Sequence, residues 1–104
     1  MPHQFDIVEN LNPGSRAQYP YIVILQHDRA ASIRTVIAAP LAEWTSALAS
    51  ARIHPTVTID SRRYVALIEQ LAAVPLSVLG GHVGSAETQR YEMIAALDLL
   101  FTGI

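Results

Sequence analysis

Residues 91–104, with the sequence YEMIAALDLLFTGI, decide the fold, because they predict a helix that is apolar on nearly every side. From Met93 to Phe101 the only charged residue is Asp98. A helix packed on one core needs a single apolar stripe, so the surplus apolar residues predict a second covering surface. Gly103 suits the left-handed residue that ends a helix, and it leaves Ile104 as an apolar tip. We expect two copies of the chain to pair along this helix.

A helix of this kind can also be ordinary core, which is the usual arrangement in a globular domain. The near-absence of polar positions over nine residues favours the dimer seam instead. Asp98 has two open interpretations: it faces solvent at the edge of the seam, or its carboxylate contacts a partner.

The composition bounds the class of protein. A chain of 104 residues makes one domain with one core. Charged residues make up 15%, against about 25% in an average globular chain, which again favours an oligomeric interface. The net charge is −2 and the basic pair Arg62-Arg63 stands alone, so direct binding of nucleic-acid phosphates is not expected.

Several classes of site and location are excluded or disfavoured. The chain has no cysteine, which excludes disulfides and thiolate metal sites and fits a reducing cytosol. The first residues lack the basic and apolar regions of a signal peptide. No apolar run approaches the roughly 20 residues that cross a bilayer. We expect a cytoplasmic protein with no membrane association and no cofactor.

Strand patterns fill much of the remaining chain. The predicted strands are residues 4–8, 19–25, 33–38 (closed by Pro40), 56–59 and 64–68. Residues 42–52 predict an irregular excursion with a short helix, 71–79 a kinked crossing or edge strand, and 80–84 a turn, after which Ser85 caps the last helix. The expected fold class is mainly β, an SH3-like small barrel or bent antiparallel sheet with one C-terminal α-helix.

Catalytic and metal sites have weak support. Histidines stand at positions 3, 27, 54 and 82, too widely spaced for a metal site, so structural or exposed roles are favoured. A Ser-His-Asp arrangement can be drawn from Ser32, His27 and Asp28, or from Ser77 and His82. Neither serine lies in a nucleophile-elbow sequence, so a small hydrolase is only a minor alternative.

Six segments match a known family in its own order and together span most of the chain. They are residues 4–8 (QFDIV), 19–28 (YPYIVILQHD), 36–41 (VIAAPL), 54–60 (HPTVTID), 63–80 (RYVALIEQLAAVPLSVLG) and 91–104. In this order, and in the Gly-Ile ending, the chain resembles the CcdB family, the toxins of plasmid or chromosomal toxin–antitoxin pairs.

The resemblance implies a specific function without catalysis by the toxin. CcdB-like proteins form SH3-like barrels that dimerise around the C-terminal helix. They bind the A subunit of DNA gyrase and trap the enzyme on cleaved DNA, as topoisomerase poisons. A cognate antitoxin wraps the dimer with a disordered segment and removes it from gyrase. Toxin and antitoxin together repress their own operon, with the antitoxin making the DNA contacts.

The resemblance also implies which residues meet each partner. The gyrase-binding residues correspond to Asp98, Phe101, Thr102, Gly103 and Ile104, with a second patch at Arg29 and Ala30. The loop of residues 10–18 is expected to be mobile and to supply antitoxin contacts at Asn12 and Arg16. The predicted dimer interface consists of Met93, Leu97 and Leu100.

Two positions depart from the family pattern and support an alternative. Thr102 stands where the best-studied pattern has a tryptophan, and Arg29-Ala30 stands where an apolar pair is typical. The alternative is an inactive homologue that keeps dimerisation and antitoxin binding but does not poison gyrase.

Overall fold

The computed structural model describes residues 2–30 and 34–104. The strands and helices are β1 (Asp6–Asn10), β2 (Tyr21–Ile24), β3 (Thr35–Glu43), α1 (Ser46–Ala49), β4 (Thr56–Ile59), β5 (Arg62–Ala66), β6 (Ala72–Pro75), β7 (Leu79–Ser85) and α2 (Arg90–Thr102). Short 3-10 turns occupy Asp28–Ala30, Ile68–Gln70, Leu76–Val78 and Glu87–Gln89.

The strands form one antiparallel sheet against which α2 packs. Their order is β4-β5-β3-β2-β1-β7, and β6 pairs with β3 beside this path. The long strand β3 therefore has β2 on one edge and, on the other, β6 followed by β5. The fold class predicted from the sequence, mainly β with an SH3-like small barrel or bent antiparallel sheet and one C-terminal helix, is confirmed: the seven strands form a half-barrel.

The central strands are buried on both faces. Ile7 and Val23 belong to the main core, together with Met93 and Ala96 of α2. Their neighbours Val8 and Ile22 alternate to the opposite face and join a second apolar cluster, since successive strand residues point to opposite sides. Burial on both sides explains why the run YIVIL is apolar throughout rather than alternating.

Pro40 lies inside β3, so the prediction that it closes this strand is wrong. Its carbonyl accepts the amide of Leu67, which shows that this residue's backbone polar groups face the β5–β6 edge. Pairing with β6 stops at Ala38 and pairing with β5 starts at Leu41. Because Pro40 falls between the two partners, its missing N–H costs no ladder bond. Residue 33, the predicted start of the strand, lies outside the described residues.

Residues 80–84 form most of β7 rather than the predicted turn. The strand pairs with β1, with Asp6 opposite Ser85 and Asn10 opposite Leu79, through irregular register. A Cβ on Gly80 would lie 2.8 Å from the Cβ of Glu9. Glycine is needed there for close approach of two strands, and not for chain reversal.

The other predicted elements are present with shifted ends. Asp60 and Ser61, both with positive φ (50° and 67°), make a two-residue hairpin turn between β4 and β5. β6 is an edge strand, and the excursion contains the short helix α1. Ser85 is not the cap of α2: its hydroxyl accepts the amide of Glu87 in the preceding 3-10 turn, and α2 begins at Arg90.

Candidate partner-binding site

Helix α2 has one face in the core and another in solvent. Met93 and Ala96 are fully buried, and Leu97 and Leu100 pack on the same core from its margin. The opposite face follows the spacing 91, 94, 98, 101, which places its members on one side of a helix. It holds Tyr91, Ile94, Asp98 and Phe101.

This exposed stripe is apolar apart from its one carboxylate. Tyr91 is 84% exposed, Ile94 38% and Phe101 69%. Large apolar side chains scattered singly over a surface are ordinary, but a row of them along one helix face is typical of an interaction surface. Asp98 is exposed within the row, so the structure leaves its carboxylate available to a partner.

The residues after the helix extend the same surface. Gly103 has φ +77° and its amide donates to the carbonyl of Leu99 at 3.0 Å, which is the predicted left-handed helix end. The hydroxyl of Thr102 donates to the carbonyl of Asp98 at 2.7 Å, so Thr102 is turned back toward the helix. Ile104 is 88% exposed. Phe101 and Ile104 are therefore the two apolar side chains most available at this end.

Met93 does not fit the interface to which the sequence assigned it. Its side chain has no exposed surface and lies within the core of its own subunit, because it points toward the sheet. In the single chain Met93 is thus not available to a second copy, whereas Tyr91 and Ile94 on the outer face of α2 are exposed. Leu97 and Leu100 are half-buried, and their place at a dimer interface stays a prediction.

The second predicted patch lies in the 3-10 turn Asp28–Ala30, where Arg29 and Ala30 are both exposed. The side-chain amide of Gln26 donates to the carbonyl of Ala30, and its oxygen accepts the amide of Ile37 at 2.9 Å. These bonds fix the base of the turn. Among the residues that the structure describes, no hydrogen bond or ion pair joins Arg29 or Ala30 to α2.

Asp28 ties the same turn to the start of the chain. Its carboxylate accepts the amide of Gln4 at 2.9 Å and contacts Nδ1 of His3 at 2.8 Å. The bond from the Gln4 amide, followed by the contact with His3, lowers the pKa of this carboxyl below its ordinary 3.8. Asp28 is thus an anchor for the turn that presents Arg29.

The predicted antitoxin-binding residues sit in a loop that is held by its own hydrogen bonds. Asn12 accepts the amide of Gly14 through its side chain at 2.9 Å, which is the behaviour of a turn-forming asparagine. Arg16 is exposed and lines a shallow cavity with Glu9 and Tyr21. Asn12 is exposed as well, so the place of both residues at an antitoxin interface stays a prediction.

Sequence reasoning missed Asn10, which organises this loop. It is only 6% exposed, and its amide nitrogen donates to the Ser15 hydroxyl at 3.0 Å and to the Tyr19 carbonyl at 2.8 Å. Its oxygen accepts the amide of Asn12. An asparagine at the end of a strand, just before Asn-Pro-Gly-Ser, was the available signal.

The hydrolytic alternative gains no support. His27 uses Nδ1 to accept the amide of Arg29, and Ser32 lies outside the described residues. In the part of the chain that the structure covers, Ser77 and His82 share no hydrogen bond. Over the same residues, no cluster of His, Asp and Glu could hold a metal ion. None of the helices described is long and apolar enough to cross a membrane.

These features describe a small domain, a bent antiparallel sheet with a helix whose outer face and tip are largely apolar and exposed. The family model described as CcdB protein matches residues 4–103, nearly all of the chain. The chain therefore belongs to the CcdB family, a family of toxins rather than of known enzymes, and its partnership is that of a toxin with an antitoxin. A comparison with curated proteins gave no match.

Proposed function

We propose that this chain is a homodimeric toxin that binds the A subunit of DNA gyrase and traps the enzyme on cleaved DNA. A cognate antitoxin neutralises it, and the two together repress their own operon, with the antitoxin contacting the DNA. Membership of the CcdB family is the basis for this class of target. The observation that supports the docking mode is the exposed apolar end of α2.

The end of α2 has the chemistry of an interface anchor. Phe101 and Ile104 are 69% and 88% exposed, so most of their apolar surface would leave water on binding. Burying such a side chain stabilises a complex by about 1.5 to 3 kcal/mol. Exposed Asp98 adds a carboxylate one helical turn from Phe101, which suits a basic or amide group on the partner.

Pairing of two subunits would join two such ends into one surface. A twofold axis makes the same patch meet itself, so a continuous apolar stripe is a suitable seam. Tyr91 and Ile94 supply that stripe, and Leu97 flanks it. With the two helices paired in parallel about that axis, the two copies of residues 101–104 would lie on the same side of the dimer as a double docking surface.

The proposal is tested with purified gyrase in supercoiling and DNA-cleavage assays. At micromolar dimer, the toxin is expected to inhibit supercoiling and to accumulate cleaved DNA. A variant that lacks Gly103 and Ile104 should lose both effects without unfolding, since these residues lie beyond the last residue of α2, Thr102. Wild-type protein that neither inhibits gyrase nor traps cleaved DNA would refute the proposal and leave the fold intact.

A second candidate function is that of an inactive homologue, which dimerises and binds its antitoxin but no longer binds and poisons gyrase. Arg29 favours it, because this exposed cation stands in a patch where an apolar anchor is expected, and desolvating a charge without a partner is costly. This candidate predicts normal growth on overexpression and tight antitoxin binding. Growth arrest in cells that contain gyrase excludes it.

A further inference from the structure

The segment between β3 and β4, residues 44–55, is attached to the rest of the domain at a few defined points. Trp44, Leu48 and Ala49 pack against a small buried cluster formed by Ala42, Val65 and Leu67. The guanidinium carbon of Arg63 lies 3.8 Å from the centre of the Trp44 ring. Ile53 packs against the main core, and the carbonyl of Pro55 accepts the amide of Ala66 at 2.9 Å. A further attachment is polar and passes through the side chain of His54.

Both ring nitrogens of His54 face oxygen acceptors. Nδ1 lies 2.8 Å from the carbonyl oxygen of Leu48 in α1. Nε2 lies 2.9 and 2.8 Å from the two carboxylate oxygens of Glu69, in the 3-10 turn Ile68–Gln70. A neutral imidazole has one N–H, so its other nitrogen would place a lone pair against the lone pair of an acceptor oxygen. The imidazolium has two N–H groups and can donate to both Leu48 and Glu69.

The charge that faces the ring is that of Glu69. Helix α1, with the sequence SALA, contributes no charged side chain, and among the described groups Glu69 alone acts electrostatically on His54. Burial lowers the pKa of His54, whose side chain is 10% exposed, but the bonds to Glu69 and Leu48 and the carboxylate's charge outweigh this. The net effect raises the pKa of His54 above its ordinary 6.5.

We propose that His54 and Glu69 form a proton-operated latch, in which the imidazolium holds α1 on the turn Ile68–Gln70 and loss of its proton releases the segment. The turn is a firm anchor, since Ile68 is fully buried in the core that also contains Met93 of α2. The latch therefore connects the excursion to the part of the core beneath the candidate partner-binding helix.

The sign of the pH dependence follows from the two states of the ring. The latched state holds the proton more tightly than the open segment does, so its stabilisation is complete below the open-state pKa of about 6.5. It is lost as the pH rises through the higher pKa of the latched state. Each unit of difference between the two pKa values changes the opening constant about tenfold.

The first test is a ¹⁵N NMR titration of the His54 ring in the full chain from pH 5.5 to 9. We expect both nitrogens to be protonated at the acid end and a midpoint above 6.5, with a lower midpoint in Glu69→Gln. A midpoint at or below 6.5, or one that Glu69→Gln leaves unchanged, overturns the proposal. The wild-type titration decides alone if the variant does not fold.

The second test measures the segment itself. Trp44 is the only tryptophan of the chain, so acrylamide quenching of its fluorescence reports how open the segment is. Quenching should rise between pH 5.5 and 8.5 in the wild type and in the control His82→Gln. In His54→Gln it should be equal at both pH values. Equal quenching of the wild type at both pH values refutes the release of the segment.

Discussion

Replacing Gly103 by alanine should weaken gyrase binding without destabilising the domain. Gly103 adopts φ +77°, where an L-residue costs about 1 to 2 kcal/mol. A Cβ at this position would meet no atom within 4 Å, so the backbone conformation is the only property that the substitution disturbs. In the free protein the tail is therefore expected to relax out of the left-handed conformation, so it leaves the orientation in which it presents Ile104.

The cost converts into affinity because the tail must be in its docked orientation to bind. With 1.4 kcal/mol per factor of ten, the dissociation constant for the gyrase A subunit should rise about 5- to 30-fold. Position 103 follows α2 on the surface, so the melting temperature should change little. Isothermal titration against the purified A subunit and a cleavage titration with whole gyrase measure the two expected losses.

Asparagine at the same position separates conformation from side-chain size. Asn tolerates the left-handed region better than other L-residues, so Gly103→Asn should bind gyrase more tightly than Gly103→Ala although its side chain is larger. Wild-type affinity in Gly103→Ala would refute the argument from backbone strain. Equal weakening in both variants would show that any side chain obstructs the docked tail. Absence of binding by the wild type would instead refute the proposed function itself.

Three further predictions concern the fold and its assembly. Gly80→Ala should destabilise the domain by about 1 to 3 kcal/mol in urea unfolding, because its Cβ would meet Glu9 at 2.8 Å, whereas Gly81→Ala has open space and should stay near wild type. Asn10→Ala should cost about 1 to 3 kcal/mol in the same assay, since it leaves the groups that bind Asn10 unpaired. Ile94→Lys should shift the sedimentation coefficient from dimer toward monomer while circular dichroism stays unchanged.

Each of these has a result that contradicts it. Equal stability of the alanine variants at positions 80 and 81 would deny the close approach of β7 to β1. A neutral Asn10→Ala would mean that water satisfies its partners. A dimer that survives Ile94→Lys would place the seam elsewhere than on the outer face of α2.

The sequence predicted the fold class and most of the elements, because apolar alternation and turn residues are local signals, but it did not predict β7. It failed at Pro40 and at Gly80, where the deciding factor is a neighbouring strand. Pro40 is tolerated because two partner strands of β3 meet beside it, and Gly80 is required because β1 approaches closely. Neither neighbour can be identified from the residues around these positions.

The candidate site was predictable only in part, for a related reason. The surplus of apolar residues in α2 was visible in the sequence, and so was the glycine that ends the helix. The sequence did not show which of the two apolar faces of α2 packs against the sheet, since Met93 and Ile94 are equally suitable for a core. The loop of residues 10–18 was predicted, but the anchoring role of Asn10 was not, because its bonds reach Ser15 and Tyr19, beyond the span of a single turn.

The pairing of β1 with β7 has a consequence for the order in which the molecule can assemble during synthesis. Asp6 pairs with Ser85 and Asn10 pairs with Leu79, so about 70 to 80 residues of chain separate the paired residues. At a translation rate of about 5 to 20 residues per second, β1 waits roughly 4 to 16 seconds for its second neighbour. During that interval one edge of β1 is unpaired in the ribosome-bound chain, and the sheet against which α2 packs is incomplete.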